Sequence, residues 1–245
     1  DTEWKKITLP AAFNEDEAFR LSISEHTDTV VWYRKHFILP KTAKGQKIFL
    51  EFEGIRFGGA FWVNGKPVGL HENGVMAFGF DISDVINYTG NNVLAVRIDN
   101  SWRYKERATG STYEWNDRNF YANYGGITKN VYLHVTPRLY QTLPLYSNLK
   151  TTGTYIYARE INITKRNALI FAETEVKNEF PEEKEVLFDV IVEDLDGQQI
   201  TKFSGGTTKI APGETKLLKT SARVNDLHFW SWGYGYLYTV YTIIR

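Results

Sequence analysis

The side chains best suited to bind a small molecule are concentrated in one irregular segment, Asn100 to Gly126. This segment is longer than the ~12–15 residues that are usual for a loop without a specific function. Aromatic rings pack against the C–H face of a sugar, while polar groups bond its hydroxyls. The segment holds both kinds of group: Trp102, Tyr104, Tyr113, Trp115, Phe120, Tyr121 and Tyr124 stand among Arg103, Arg107, Glu114, Asp117, Arg118 and Asn119.

Two interpretations of this segment remain open. Its rings could anchor the loop on its own domain or bury a contact between domains, since large aromatic side chains are usually buried. Alternatively, some of its side chains contact a sugar directly. Both hold if the segment reaches over the active site of a neighbouring domain.

Catalytic and metal-binding patterns are missing from the sequence. The five histidines are scattered without ligand spacing, and there is no cysteine, no G-x-S-x-G elbow and no P-loop. Glycoside hydrolysis needs two carboxylates, ~5–5.5 Å apart for retention or ~6.5–9.5 Å apart for inversion. The Asp and Glu residues here stand in no recognisable catalytic context. We therefore predict no catalytic residue, no cofactor and no metal ligand in this chain.

Composition excludes several classes of partner. Lys and Arg (29) balance Asp and Glu (29), whereas a nucleic-acid binder usually has a basic excess. No apolar run approaches the ~20 residues of a membrane span, so we expect neither nucleic acid nor membrane as a partner. The start at Asp1 lacks the basic and apolar regions of a signal peptide, which we expect to have been removed or left out. We expect a bacterial periplasmic or extracellular location, with the cytoplasm still open.

The elements that must position the segment are short strands. Apolar and polar side chains alternate with a period of two around residues 30–37, 48–52, 93–98 and 131–135, which predicts half-buried strands of a sandwich or jelly roll. Asn64-Gly65 between apolar runs predicts a hairpin with a type I′ turn. The aromatic segment joins the third of these runs to the fourth.

A domain boundary is predicted near Pro137, because proline cannot continue a strand ladder. Beyond it, period-two runs recur at about residues 155–163, 168–176, 186–192, 216–224 and 237–244, with turns at Asp196-Gly197 and Pro212-Gly213. This spacing is typical of an immunoglobulin-like sandwich. The sequence therefore predicts an all-β chain, with a jelly-roll domain at 1–138 and an immunoglobulin-like β-sandwich at 139–245.

Residues 28–137 contain a series of motifs: Val31-Trp32-Tyr33-Arg34-Lys35-His36-Phe37, Phe52-Glu53-Gly54-Ile55, Ala60-Phe61-Trp62-Val63-Asn64-Gly65, Phe78-Gly79-Phe80-Asp81-Ile82, Asn91-Asn92-Val93-Leu94-Ala95-Val96-Arg97 and Tyr124-Gly125-Gly126-Ile127. In type and order, over most of this range, these motifs resemble the sugar-binding domain that opens family 2 glycoside hydrolases. The tail Phe229 to Tyr238 is similar to a strand of the family's immunoglobulin-like domain. The resemblance implies a galactose-binding-like jelly roll in the first domain.

The resemblance also implies a function and a site. In the family a (β/α)₈ barrel follows these two sandwiches and carries the two catalytic Glu residues of a retaining mechanism, so the sequence looks like an excised fragment. An acidic residue shortly before "Y-G-G-I" often reaches the first sugar subsite there, and Asp117 and Asn119 are the candidates here. The predicted substrate-binding residues are Asp117, Asn119, Trp102, Trp115 and Tyr121.

We therefore expect the non-catalytic N-terminal region of an exo-acting β-glycosidase, with a β-galactosidase as the first candidate. Its partners would be the carbohydrate substrate of the parent enzyme and the catalytic barrel of the same polypeptide, with a homo-oligomer also open. An autonomous carbohydrate-binding module is the first alternative, and a purely structural or adhesive pair of sandwiches is the second.

Overall fold

The computed structural model of the chain describes residues 3–14, 29–72, 76–101, 103–112 and 125–245. The chain forms two compact units, residues 1–136 with 145–150 and residues 137–144 with 151–245. Both are built from antiparallel strands, so the predicted all-β fold is confirmed. Among the described residues, no helix has the length and apolar character needed to span a bilayer.

The first unit contains a four-stranded sheet in the order β2-β7-β4-β5, a three-stranded sheet in the order β6-β3-β9, and the pair β1-β8. A 3-10 turn at Lys41–Ala43 precedes β3, and a short turn at Tyr146–Leu149 returns to this unit. The strands are β1 Ala11–Ala12, β2 Val30–Ile38, β3 Lys47–Phe52, β4 Gly58–Val63, β5 Lys66–His71, β6 Phe78–Asp81, β7 Asn91–Asp99, β8 Gly126–Ile127 and β9 Val131–Thr136.

The core of the first unit follows from the period of two. Alternate side chains of a strand point to opposite faces, so each sheet presents one apolar face to the other. Phe52 of β3, Phe61 of β4 and Phe78 of β6 are fully buried, with ring centroids 4.9–5.3 Å apart. This is the jelly-roll sandwich that the sequence predicts.

The predicted type I′ turn forms between β4 and β5. Asn64 and Gly65 have φ of 52° and 78°, the two positive values that such a turn needs. Asn64 exchanges hydrogen bonds with the backbone of Val93 on β7, and its amide donates to the side-chain carbonyl of Asn92 at 2.8 Å. The turn is thus tied to the start of the neighbouring strand.

The second unit is an immunoglobulin-like sandwich. β12 lies between β17 on one edge and β10 and β11 on the other, β14 lies between β15 and β18, and β13 pairs with β16. Val176, Val186, Phe188, Val190 and Ile210 are buried in its core. The strands are β10 Leu139–Gln141, β11 Thr154–Asn162, β12 Asn167–Asn178, β13 Lys184–Val186, β14 Phe188–Glu193, β15 Gln199–Ser204, β16 Thr208–Ile210, β17 Thr215–Val224 and β18 Thr239–Ile244.

Replacing the fully buried Asn92 tests the tie between the turn and β7. Its carbonyl accepts from the Asn64 amide and from the backbone N–H of Asn87, and its own amide donates to the Asn87 carbonyl at 2.8 Å. Asn92→Ala removes these three part-buried hydrogen bonds, so we expect the free energy of unfolding to fall by about 2 kcal/mol. Urea titration of the chain measures this loss.

The matched control is Asn91→Ala, one residue earlier. Asn91 is exposed and contacts His36 at 3.0 Å, so its loss should change the free energy of unfolding by less than about 0.5 kcal/mol. Equal urea midpoints for the two variants would show that the buried amide does not hold the turn.

Candidate functional site

The five predicted substrate-binding residues, Asp117, Asn119, Trp102, Trp115 and Tyr121, lie outside the described residues. The structure therefore describes the frame from which their segment departs and to which it returns. The segment leaves the first unit after Asp99, at the end of β7, and rejoins it at Gly125, immediately before β8. Its described middle part is residues 103–112.

The departure point is fixed by the carboxylate of Asp99. One oxygen accepts hydrogen bonds from the backbone N–H and the hydroxyl of Ser101, at 3.1 and 2.6 Å. The other accepts from Arg97 at 3.0 Å. Asn100 is fully buried and its backbone N–H donates to the carbonyl of Thr29. These bonds determine the direction in which the chain leaves the sheet.

The return point requires two glycines. Gly126 has φ of +119°, and an added Cβ would meet the hydroxyl of Tyr33 and the carbonyl of Ala11. At Gly125 an added Cβ would meet the ring of Phe13. At Gly126 both the positive φ and the close neighbours exclude a side chain, and at Gly125 the close neighbours do so. The two glycines allow the backbone to pack closely against its neighbours at this point.

Hydrogen bonds fix the return point in place. Arg56 and Gly126 exchange backbone hydrogen bonds of 2.9 and 3.1 Å. The backbone N–H of Gly125 donates to the buried side chain of Asn14 at 2.9 Å, and the Gly125 carbonyl accepts from the N–H of Phe13. Asn14 thus joins the N-terminal segment to the end of the aromatic segment.

The middle of the segment is anchored by Glu72, directly after β5. The hydroxyl of Tyr104 and the backbone N–H of Arg107 both donate to the same carboxylate oxygen, at 2.5 and 3.1 Å. The Tyr104 ring occupies the space beside Gly58, where even a Cβ would collide with it. For Tyr104 the anchoring interpretation therefore holds. No spacing pattern in the sequence pairs Tyr104 with Glu72, which lies 32 residues earlier.

Two ionisable groups beside the return point have shifted pKa values. Burial raises the pKa of the Tyr33 hydroxyl, and the backbone N–H of Ile127 partly opposes this shift. Burial lowers the pKa of Arg56, whose Nε is buried without a hydrogen-bond partner among the residues that the structure describes. Both shifts have the same main cause, since burial disfavours the charged form of each group.

The carboxylates of this frame accept hydrogen bonds from the backbone of the aromatic segment. Glu72 and Asp99 each accept hydrogen bonds that fix the segment, so neither is arranged as a general acid or a nucleophile. Within the described ranges, no group of three or more His, Cys, Asp or Glu side chains could hold a metal ion. The frame can therefore position the residues of the aromatic segment.

A cavity of about 510 Å³ lies in the first unit, and Tyr33 and Ile127 beside the return point are among its lining residues. Its walls are mainly apolar, with Ile7, Leu9, Phe37, Phe52, Leu94 and Leu133 among the lining side chains. Thr8, Tyr33, Arg34 and Lys35 also line this cavity, but they are outnumbered by apolar side chains, whereas a sugar site needs several converging donors and acceptors. We therefore keep the aromatic segment and its frame as the candidate site.

The sugar-binding domain of glycosyl hydrolases family 2 matches residues 5–137 of this chain. The match covers more than half of the 245 residues, so the chain belongs to this family. The resemblance drawn from the motifs is thereby confirmed.

Several relatives align over the whole chain. A β-glucuronidase of Formosa agariphila is 35% identical across 100% of this chain and 25% of its own length. The β-galactosidase BoGH2A of Bacteroides ovatus is 24% identical across 99% of the chain and 26% of its own length. The solved structure of a family 2 β-glucuronidase superposes with a TM-score of 0.85 at 31% identity, covering 100% of this chain and 26% of that one. The chain thus spans about a quarter of these proteins.

Removing the Glu72 carboxylate tests whether it anchors the segment. In Glu72→Ala we expect the amides of residues 103–112 to exchange with deuterium at least tenfold faster. Tenfold corresponds to about 1.4 kcal/mol, close to the lower end for one hydrogen bond to a charged group. Hydrogen-exchange mass spectrometry measures the rates.

Glu53→Ala is the matched control, because the Glu53 carboxylate also accepts two hydrogen bonds, both from Asn130. It should leave exchange in residues 103–112 unchanged. Unaltered exchange there in Glu72→Ala would mean that Glu72 does not hold the segment.

Proposed function

We propose that this chain is the non-catalytic N-terminal region of an exo-acting β-glycosidase. The observation that carries the proposal is the family 2 match over residues 5–137. In addition, nearly the whole of this chain aligns to part of two glycosidases that are about four times as long. In this proposal the two units buttress a catalytic barrel of the same polypeptide. The catalytic carboxylates belong to that barrel.

We propose β-glucuronides as the first substrate class. The support is that the relative and the solved structure with more than 30% identity across the whole chain are both named β-glucuronidases. β-Galactosides, the class expected from the sequence motifs, are the second candidate, favoured by the alignment to the β-galactosidase BoGH2A over 99% of the chain. The residues that determine which sugar is bound would lie mostly in the barrel.

The role proposed for the aromatic segment is to narrow the active site around a terminal sugar. Its two ends are fixed by Asp99 and Gly126, and its middle by Glu72, so it leaves the first unit from a rigid base. A rigid base keeps binding groups in position without an ordering cost when substrate arrives. Asp117, Asn119, Trp102, Trp115 and Tyr121 are the residues proposed to reach the sugar.

An alternative function, the partners and the location of the protein are also proposals. The first alternative function is an autonomous carbohydrate-binding module, which requires the 245-residue chain to bind a saccharide alone. We propose that carbohydrate and the barrel are the main partners, with self-association open, and that the enzyme works in a bacterial periplasm or outside the cell.

The decisive test is the activity of the protein made from its complete reading frame. We expect it to hydrolyse p-nitrophenyl β-D-glucuronide or β-D-galactoside, and the 245-residue chain to hydrolyse neither. Trp115→Ala in the longer protein should lower kcat/KM about tenfold, the loss of one ring stacking on a sugar. Steady-state kinetics at constant pH measures both effects.

Trp4→Ala is the matched control, since Trp4 is a partly exposed tryptophan that packs against Arg34. It should leave kcat/KM within a factor of two. Inactivity of the longer protein on glucuronide, galactoside, mannoside and glucoside would refute the proposal. Binding of a saccharide by the 245-residue chain, measured by calorimetry, would favour the autonomous module.

A further inference from the structure

The second unit exposes an unusually apolar hairpin just before its last strand. We call residues 229–237 the aromatic hairpin. Solvent reaches 64% of Trp230, 95% of Trp232 and 66% of Leu237. Isolated monomers rarely expose contiguous apolar patches above a few hundred Å², and larger ones mark interaction sites. Two tryptophans and a leucine, all more than half exposed, are concentrated here within eight residues.

The hairpin has a defined backbone. Ser231 and Tyr234 exchange backbone hydrogen bonds of 3.0 and 2.9 Å around a two-residue turn. Gly233 takes φ of +79° within that turn, which suits glycine. The tip that carries Trp232 therefore has a fixed shape.

The base of the hairpin is also fixed. The guanidinium of Arg166 donates to the carbonyls of Asp226 and Leu227, at 3.1 and 3.2 Å, and lies 3.2 Å from the Nε2 of His228. The backbone N–H of His228 donates to the Tyr238 hydroxyl at 2.6 Å. Leu227 packs with the sandwich core. These contacts tie both ends of the hairpin to the unit.

Stacked rings stiffen the hairpin from within. The His228 ring stacks on Tyr236 with centroids 4.6 Å apart, and Tyr236 lies 5.9 Å from Tyr234 and 5.1 Å from Tyr238. The hydroxyl of Tyr234 lies 3.0 Å from the Nδ1 of His228. The hairpin is thus preorganised, and a partner would bind it without ordering it first.

The polar groups of the hairpin favour a protein partner over a sugar. Both ring nitrogens of His228 are in contact with other side chains, and Arg166 already bonds two carbonyls. A sugar needs free donors and acceptors beside the stacking ring. Trp230, Trp232 and Leu237 instead offer apolar area, and tryptophan in particular dominates the binding energy of protein interfaces.

We propose that the aromatic hairpin docks the catalytic domain of the same polypeptide, with Trp230 and Trp232 as its anchors. The inference rests on the proposed function, because it names the surface through which this region supports the barrel. The hairpin directly precedes β18 (Thr239–Ile244), and six strand residues span roughly 20 Å. A domain following Arg245 is tethered within reach, and such a tether gives a high effective concentration.

Oxidative footprinting tests the docking. The 245-residue chain and the protein of the complete reading frame are exposed to hydroxyl radicals, and oxidation of Trp230 and Trp232 is measured by mass spectrometry. We expect both to be oxidised at least tenfold more slowly in the longer protein. Tyr155, which is 64% exposed on another part of the second unit, is the internal reference and should react equally in both.

A matched pair of variants supplies a second measurement. Trp232→Ala should leave the Tm of the 245-residue chain unchanged and lower the Tm of the longer protein by several degrees. Tyr155→Ala, which also truncates an exposed ring, should change the Tm of the longer protein by less than a third as much. Equal effects of the two variants in the longer protein would overturn the proposal.

Three further outcomes overturn it as well. The first is equal oxidation of Trp232 in both proteins. The second is protection of Trp232 in the 245-residue chain as its concentration rises, which indicates a second copy as the partner. The third is protection of Trp232 in that chain by an added oligosaccharide, which indicates a sugar site. The two proposals fail separately. Hydrolysis of an aryl β-glycoside with full oxidation of Trp232 rejects the docking alone, whereas protection of Trp232 in an inactive longer protein rejects the glycosidase function alone.

Discussion

The candidate site depends on one pair of backbone hydrogen bonds, those exchanged by Arg56 and Gly126. They bring the end of the aromatic segment to the residues just before β4, and they form because Gly126 adopts a backbone conformation and a closeness of packing that a side chain would prevent. Gly125 then places the segment against Asn14. Together with the β1–β8 pair, these bonds hold the end of the segment against the first unit.

Much of the fold could be predicted because its signal is local. The alternation in β7 reads directly from Leu94, Val96 and Ile98, all of which are buried, and the Asn64-Gly65 turn needs two adjacent residues that tolerate positive φ. A period of two and a turn dipeptide are properties of a few consecutive residues. Sheet order is not such a property, and neither is the return of residues 145–150 to the first unit, where Asn148 donates to the carbonyl of Leu70.

The frame of the site was harder to predict because its contacts join distant parts of the chain. Glu72 holds Tyr104 across 32 residues, and Asn14 holds Gly125 across 111. Composition shows that the segment is rich in aromatic residues, but it does not show which ring anchors the loop. The ring of Tyr104 is committed to the frame by its position beside Gly58. The predicted sugar contacts at Asp117, Asn119, Trp102, Trp115 and Tyr121 stay predictions.

A domain can change the rate of a reaction through geometry alone. Binding groups held on a rigid base lower the cost of ordering a substrate, and misplacing a substrate by about 1 Å can cost about a hundredfold in rate. Here the carboxylates that could have done acid–base chemistry, Glu72 and Asp99, are used to hold backbone. In the described part of the frame these two carboxylates fix the position of the segment, and a segment fixed at its ends and its middle suits the supporting role that we propose.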